Sequence, residues 1–157
     1  MIETPSLRVV FDINVLIDAV LGADSTYPLI LEVPPKTSNS AADCLALAFE
    51  GSDFELYASP HILENTARVL FEDRYTPESV GQYIQALTDI VQVSGGSIVE
   101  PTRQINDVAD FEDNLVLDLV KAVDALILVT SDRELLALNP WRHRLVMSPR
   151  DFVERWL

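Results

Sequence analysis

The segment Leu7–Asp18, LRVVFDINVLID, constrains the fold more than any other part of the sequence. Its first five residues are mostly apolar and rich in β-branched and aromatic types, which is typical of a buried parallel strand. The run ends at Asp12, and a helical pattern of apolar residues follows from Asn14. A strand that leads into a helix places the residue between them at the carboxyl edge of a sheet, where open α/β sheets bind ligands. The segment therefore predicts an acidic side chain at a binding edge.

The rest of the chain alternates strand-like runs with helical patterns. Further strands are predicted at 54–58, 97–99, 125–129 and 144–147, and helices at 14–21, 40–51, 60–72, 77–93, 113–123, 132–138 and 149–156. This alternation indicates βαβ units and a mostly parallel sheet. A length of 157 residues fits one domain with a proper core, so we expect residues 1–157 to form a single α/β domain. Residues 23–39 contain three prolines and are predicted to be a loop or small hairpin inserted into it.

The acidic charge limits the classes of partner. A net charge of −14 repels phosphate backbones, so general affinity for nucleic acid is not expected. Either the acids gather in a cation site, or the basic residues gather in a local patch. Residues 133–157 contain five arginines against three acids. Among them, Arg142 and Arg144 are candidates for steering RNA or for pairing with the acids of a partner, and the sequence leaves both interpretations open.

The sequence also carries signals about compartment. No apolar run approaches the roughly 20 residues needed to cross a bilayer. The first residues do not show the basic and then apolar pattern of a signal peptide. Cys44 is the single cysteine, so no internal disulfide can form. We therefore expect a cytoplasmic protein that has no membrane partner.

Three further acids occupy positions that topology would bring to the edge predicted for Asp12. Asp132 follows the strand predicted at 125–129 after two polar residues and repeats the arrangement of Asp12. Glu64 lies in the first turns of the helix after the second strand, and Asp113 opens the helix before the strand at 125–129. Each acid also has an ordinary interpretation, as an exposed residue or as a helix-start acid stabilised by the helix dipole. Weaker candidates lie nearby, at Asp110, Glu112 and Asp118.

Taken together, these carboxylates make a specific chemical proposition. Carboxylates crowded at one sheet edge raise one another's pKa unless a cation lies among them. Oxygen ligands, with no His or Cys at compatible positions, favour Mg²⁺ or Mn²⁺ over zinc. Such an ion would bind phosphate oxygens, lower the pKa of a bound water and hold that water for attack on phosphorus. The constellation therefore predicts metal-assisted hydrolysis of a phosphodiester.

Several segments resemble, in order and spacing, those of PIN-domain proteins, the group that includes VapC-type toxins of bacterial toxin–antitoxin modules. These segments are VVFDINVLIDAVLG, SPHILENTARVLFEDR, DFEDNLVLDLVKAVDALILVTSDRELLAL and MSPRDFVE, and they span about residues 7–152. The resemblance implies a Rossmann-like, three-layer α/β/α sandwich and a Mg²⁺- or Mn²⁺-dependent endoribonuclease acting on RNA. It suggests a homodimer and, if the chain is a toxin, an antitoxin protein as partner. It implies catalytic, metal-binding acids at Asp12, Glu64, Asp113 and Asp132, with Asn14 and Ser131 as supporting polar groups.

Two alternatives stay open, the first because the chain departs from the family pattern at one position. The family usually has Thr or Ser between the first Asp and the Asn, whereas this chain has Ile13, which removes a possible hydrogen bond to the site. The first alternative is therefore a PIN-like binding or assembly module without enzymatic activity. The second is a phosphohydrolase of the haloacid dehalogenase type, whose site also begins with a strand-end Asp. That type usually has a second Asp two residues later, acting as acid and base, where this chain has Asn14.

Overall fold

The computed structural model of the protein describes residues 6–21, 38–51 and 53–155. Most of the predicted insertion at 23–39 and the end of the helix predicted at 149–156 lie outside the described residues. The elements in chain order are β1 (Leu7–Phe11), α1 (Ile13–Leu21), α2 (Ser40–Glu50), β2 (Phe54–Tyr57), α3 (Pro60–Glu72), α4 (Pro77–Val93), α5 (Phe111–Ala122), β3 (Ile127–Val129), α6 (Arg133–Leu136), β4 (Leu145–Met147) and α7 (Pro149–Arg155).

The sheet of the described residues has four parallel strands in the order β2-β1-β3-β4. Strand β1 lies inside the sheet, where Val9 pairs with Leu56 on one side and with Ile127 on the other. Helices cover both faces of a parallel sheet, so the side chains of a central strand are apolar on both faces, and Val9 and Val10 are fully buried. The predicted α/β fold with a parallel sheet flanked by helices is thereby confirmed.

The strand predicted at 97–99 is not a member of the sheet. Ile98 forms only an isolated parallel bridge with Ala58. Pro101 follows closely and has no N–H to donate to a ladder. Gly96 lies so close to β2 that a Cβ there would approach the carbonyl oxygen of Leu56 to 1.8 Å. The segment therefore passes against the end of β2 and does not extend the sheet.

The helix caps differ from the predicted helix starts at two places that matter for the site. Helix α5 begins at Phe111 and is capped by Asp110, two residues before the predicted start at Asp113. Helix α6 begins at Arg133 and is capped by Asp132, so it starts one residue after the predicted position 132. Asp is a strong N-cap residue because its carboxylate accepts bonds from the free N–H groups of the first turn. Helix α3 begins at Pro60, the predicted start, and is capped by Ser59.

A cluster of aromatic rings anchors the central strand to the C-terminal helix. Phe11 lies 5.6 Å from Phe152, and Phe54 lies 5.1 Å from Phe152, with both ring pairs edge-to-face. Such pairs contribute about 0.5–1.5 kcal/mol beyond the area they bury. This packing fixes the end of β1, so the residue that follows it has a defined place at the carboxyl edge. None of the described helices is long and apolar enough to span a membrane.

Candidate active site

Asp12 is the central acid of the carboxyl edge and is only 4% exposed. Its Oδ1 accepts a hydrogen bond from the N–H of Ile13 at 2.8 Å, and its Oδ2 accepts one from the hydroxyl of Thr130 at 2.8 Å. The amide of Asn14 also donates to Oδ2 of Asp12, at 3.2 Å, while its Oδ1 accepts from the N–H of Ser131, at 3.2 Å. These bonds join the turn after β1 to the turn after β3 and fix the orientation of Asp12.

Two more acids reach the same edge as helix caps. Oδ1 of Asp132 accepts from the N–H groups of Glu134 and Leu135, at 2.8 and 3.2 Å. Oδ1 of Asp110 similarly accepts from the first N–H groups of α5, at 2.8 and 3.1 Å. Among the described residues, neither Oδ2 atom accepts a hydrogen bond in these caps, so each acid can cap its helix and still present one oxygen to a ligand.

Four aspartates line one cleft of about 190 Å³, which continues into a shallower cleft beside α6. They are Asp12, Asp110, Asp113 and Asp132. Burial raises the pKa of Asp113 to about 7, and repulsion by Asp132, Asp110 and Asp12 adds to the rise. The pKa of Asp12 is also raised by burial, although its hydrogen bonds from Thr130 and Ile13 oppose the shift. The structure therefore brings together three of the four acids predicted from the sequence, with Asp110 as the fourth member.

Glu64 does not join this cluster. It is exposed on α3, it is absent from the described residues that line the cleft, and its charge acts on His61. Helix geometry explains this, because Glu64 lies roughly 200° around α3 from the buried Ile62. Asn65 follows it on the chain and lines the cleft together with Arg68. The position that α3 presents to the acids is therefore an amide in this chain and not a carboxylate.

The remaining predicted residues have other surroundings. Ser131 is exposed and contributes its backbone N–H, while the hydroxyl that contacts Asp12 belongs to Thr130. Arg142 forms an ion pair with Asp107 at 3.2 Å, and Arg144 forms one with Asp124 at 2.8 Å. Neither arginine is among the described residues that line the cleft. Their role in binding RNA stays a prediction.

Thr130, Asn65 and Arg68 belong to the site but were not predicted from the sequence. For Thr130, the signal was a hydroxyl in the strand-end segment that leads to Asp132, since a buried polar side chain needs a partner. For Asn65, the signal is the helical wheel of α3, which places residue 65 beside the buried face and residue 64 opposite it. The wheel gives no such signal for Arg68, which lies about 40° from Glu64.

The side chains that line the cleft decide whether a divalent metal ion can bind there. No group of three or more Asp, Glu, His or Cys side chains in the described part of the chain is arranged to hold a metal ion. Asp110 and Asp132 nevertheless line a water-accessible cleft with Asp12 and Asp113, and each has one carboxylate oxygen that its cap bonds do not use. Mg²⁺ usually keeps several waters and binds proteins through one or two carboxylates plus substrate phosphates. The residues present fit an ion that is held in this way, with few direct protein ligands.

Fold and site together define a class: an α/β protein with a parallel sheet and a cluster of carboxylates where its strands end. The family model described as PIN domain matches residues 8–134, so the chain belongs to the PIN domain family. PIN domains are typically nucleases, and PIN nucleases generally use divalent metals. Among curated proteins, no match to the chain is found. Because the chain belongs to the PIN domain family, the haloacid dehalogenase alternative is not supported.

Proposed function

We propose that this protein is a Mg²⁺- or Mn²⁺-dependent endoribonuclease that hydrolyses phosphodiester bonds of RNA. The observation that carries the proposal is the convergence of four aspartates in one cleft of a PIN domain. Their mutual repulsion is relieved when a divalent cation lies among them, which gives the cluster a reason to bind one. The PIN family also supports a nucleic acid as the substrate.

In the proposed mechanism, one or two of Asp12, Asp113 and Asp132 would hold the ion directly, and the other carboxylates of the cleft, with Asp110, would bind its waters. When bound, the ion stabilises negative charge on the phosphate and lowers the pKa of a coordinated water. Thr130 and Asn14 orient Asp12 and favour its ionised form through the bonds they donate to Oδ2. Asp113, whose pKa is raised to about 7, would give up its proton when it holds the ion. Glu64 has no role in this proposal.

The test is cleavage of a set of RNAs by the purified protein in Mn²⁺, with EDTA as the blank. Asp12→Asn keeps the size of the side chain and removes its charge, so it should abolish cleavage. Glu64→Gln removes the same charge outside the cleft and should cleave like the wild type. Cleavage that is unchanged in Asp12→Asn would come from a contaminant, and the proposal would be lost.

Two finer parts of the proposal concern partners. As the toxin of a type II toxin–antitoxin module, the protein would arrest growth when expressed in a bacterial host, and Asp12→Asn would not; an antitoxin protein would relieve the arrest. A homodimer is supported by two apolar side chains that stay exposed, Phe49 near the end of α2 and Val93 at the end of α4, each 52% exposed. The two helix ends lie close together, because Gly51, which caps α2, packs against Val93. Sedimentation equilibrium of wild type and Val93→Glu would test the dimer.

A second candidate is a PIN-like binding or assembly module without activity. It is favoured by the lack, within the described residues, of three acids arranged to hold a metal, and by Asn65 and Ile13 in the cleft. Calorimetric titration with Mn²⁺ distinguishes the two candidates. The nuclease should bind Mn²⁺ and lose this binding in Asp113→Asn, whereas the inactive module should bind no Mn²⁺ even when the metal is in large excess.

A further inference from the structure

Arg68 is the one cationic side chain among the described residues that line the 190 Å³ aspartate cleft, and Arg133 lines its shallower continuation beside α6. It lies on α3, opposite the acids contributed by the strand ends and by α5, and its side chain is 53% exposed. A substrate phosphate that enters the 190 Å³ cleft meets the four aspartates and Glu112, and Arg68 supplies the positive charge among the described residues lining that part. An anion can approach so many acids only when positive charge is present to receive it.

Asn65 holds the guanidinium in place. Its Oδ1 accepts from Nε and from Nη2 of Arg68, at 3.2 and 3.1 Å. Its Nδ2 donates to Nε2 of His61 at 2.6 Å. Burial lowers the pKa of His61, which favours the neutral ring that can accept this bond. The amide of Asn65 is thereby oriented at both ends, and its oxygen is directed to Arg68.

The ion pairs of Arg68 leave part of its hydrogen-bonding capacity free. Nη1 bonds Glu72 at 3.3 Å, one helical turn away, and Nη2 lies 3.8 Å from Glu112. Glu72 and Glu112 are both more than half exposed, and such surface pairs are weak. Of the five N–H groups of a guanidinium, three are used in bonds to the described residues. The remaining N–H groups can serve an incoming anion without breaking the bonds to Asn65.

We propose that Arg68 binds a non-bridging oxygen of the RNA phosphodiester and positions that phosphate against the aspartates. This inference rests on the proposed nuclease function and names the residue through which the acidic cleft accepts its anionic substrate. Arg is suited to the role because its planar, permanently charged fork matches the geometry of a phosphate. Asn65 and His61 then act as positioning residues, since they orient Arg68 and do not contact the substrate.

The inference is tested by binding, separately from cleavage. A fluorescein-labelled single-stranded RNA is titrated with protein in Ca²⁺ in place of Mn²⁺, and fluorescence anisotropy gives Kd. Arg68→Gln should weaken RNA binding by about tenfold, the size of one lost charge-assisted hydrogen bond. It should also lower the slope of log Kd against log salt by about 0.7, the value for one phosphate contact on a single strand. Arg68→Lys should recover part of the affinity, as a point charge without the fork.

Arg150→Gln is the matched control. Arg150 forms the same kind of i,i+4 ion pair, with Glu154 at 3.2 Å, but it is not among the described residues that line the cleft. This variant should keep the RNA affinity and salt slope of the wild type. Calorimetric titration with Mn²⁺ provides a second readout, in which Arg68→Gln should bind the metal at least as tightly as the wild type because a cation has left the cleft.

The outcomes separate the two proposals. Wild-type RNA affinity and salt slope in Arg68→Gln, in a protein that cleaves RNA, would overturn the role of Arg68 and leave the nuclease standing. Parallel loss of RNA and Mn²⁺ binding in Arg68→Gln would also overturn it, because the arginine would then act through the carboxylates. A wild-type protein that binds neither Mn²⁺ nor RNA would remove the proposed function and this inference with it.

Discussion

The hydroxyl of Thr130 donates to Oδ2 of Asp12 at 2.8 Å and joins two residues that are 118 positions apart in the chain. The same hydroxyl oxygen accepts from the N–H of Asp132 at 3.0 Å. Thr130 is fully buried, so water cannot replace its hydroxyl as a hydrogen-bond partner. One side chain thus fixes the first acid of the cleft and the backbone of the last.

Thr130→Val should weaken both the fold and the metal site. The change leaves the N–H of Asp132 without its acceptor and removes the bond that opposes the raised pKa of Asp12. We expect the free energy of unfolding in urea to fall by about 1–3 kcal/mol. Mn²⁺ binding near neutral pH should weaken about tenfold because Asp12 holds its proton more tightly. Thr130→Ser keeps the hydroxyl and should stay close to the wild type in Mn²⁺ affinity; equal affinity in Thr130→Val would contradict the argument.

Glu64→Gln and Asp113→Asn form a matched pair that tests which acids make the site. Each variant removes one negative charge, but Asp113 lines the cleft and Glu64 does not. We expect Asp113→Asn to lose measurable Mn²⁺ binding in calorimetry, and Glu64→Gln to bind as the wild type does. Equal losses in both variants would mean that overall charge, and not the cleft, attracts the metal.

Asp118 is expected to serve the fold and not the site. It is fully buried, and its Oδ1 accepts from the N–H groups of Gln104 and Ile105, at 2.9 and 2.7 Å. Its Oδ2 lies 3.1 Å from Arg103. Asp118→Ala strands these donors, so the free energy of unfolding should fall by about 3 kcal/mol or more. Glu154→Ala, at an ion-paired acid whose side chain is 57% exposed, should cost less than about 1 kcal/mol. Mn²⁺ affinity should be unchanged in a folded Asp118 variant.

The parallel sheet could be predicted because its signal lies within single segments. The sequence of β1 is an apolar run followed by Asp12, which is typical of a central parallel strand whose two faces are both covered by helices. The isolated bridge at Ile98 could not be told from a strand, because its limits come from contacts with the turn at Gly96 and from the end of β2. Short apolar runs carry no information about what they pair with.

The site was less predictable than the fold, for two physical reasons. Asp110 and Asp132 have two uses at once, as helix caps and as members of the acid cluster, and the sequence pattern indicates only one use at a time. Whether Glu64 or Asn65 enters the site depends on the rotation of α3 about its axis. Neighbouring residues of a helix point about 100° apart, so a one-residue error selects a different side chain. The spacing of the motifs correctly predicts that α3 contributes to the site. Which of its side chains faces the cleft depends on how the helix packs, which the spacing does not contain.

The raised pKa of Asp113 predicts an unusual dependence of stability on pH in the absence of metal. In the folded protein this pKa is about 7, against 3.8 for an unperturbed Asp. Between these values the folded state keeps a proton that the unfolded state has lost, so the free energy of unfolding falls as pH rises through this window. The raised pKa of Asp12 acts in the same direction. Urea denaturation in EDTA at about pH 5 and about pH 8 should find the protein less stable at the higher pH.

Two variants and one addition show whether the cleft causes this dependence. Asp113→Asn cannot lose a proton, so its loss of stability between the two pH values should be clearly smaller than that of the wild type. Asp73→Asn removes an exposed acid at the end of α3 and should keep the wild-type difference. Mn²⁺ replaces the protons as the counter-charge of the cleft, so the metal should raise Tm more at the higher pH than at the lower one. A wild-type protein that gains stability as pH rises from about 5 to 8 would mean that the aspartates do not repel one another as this geometry requires.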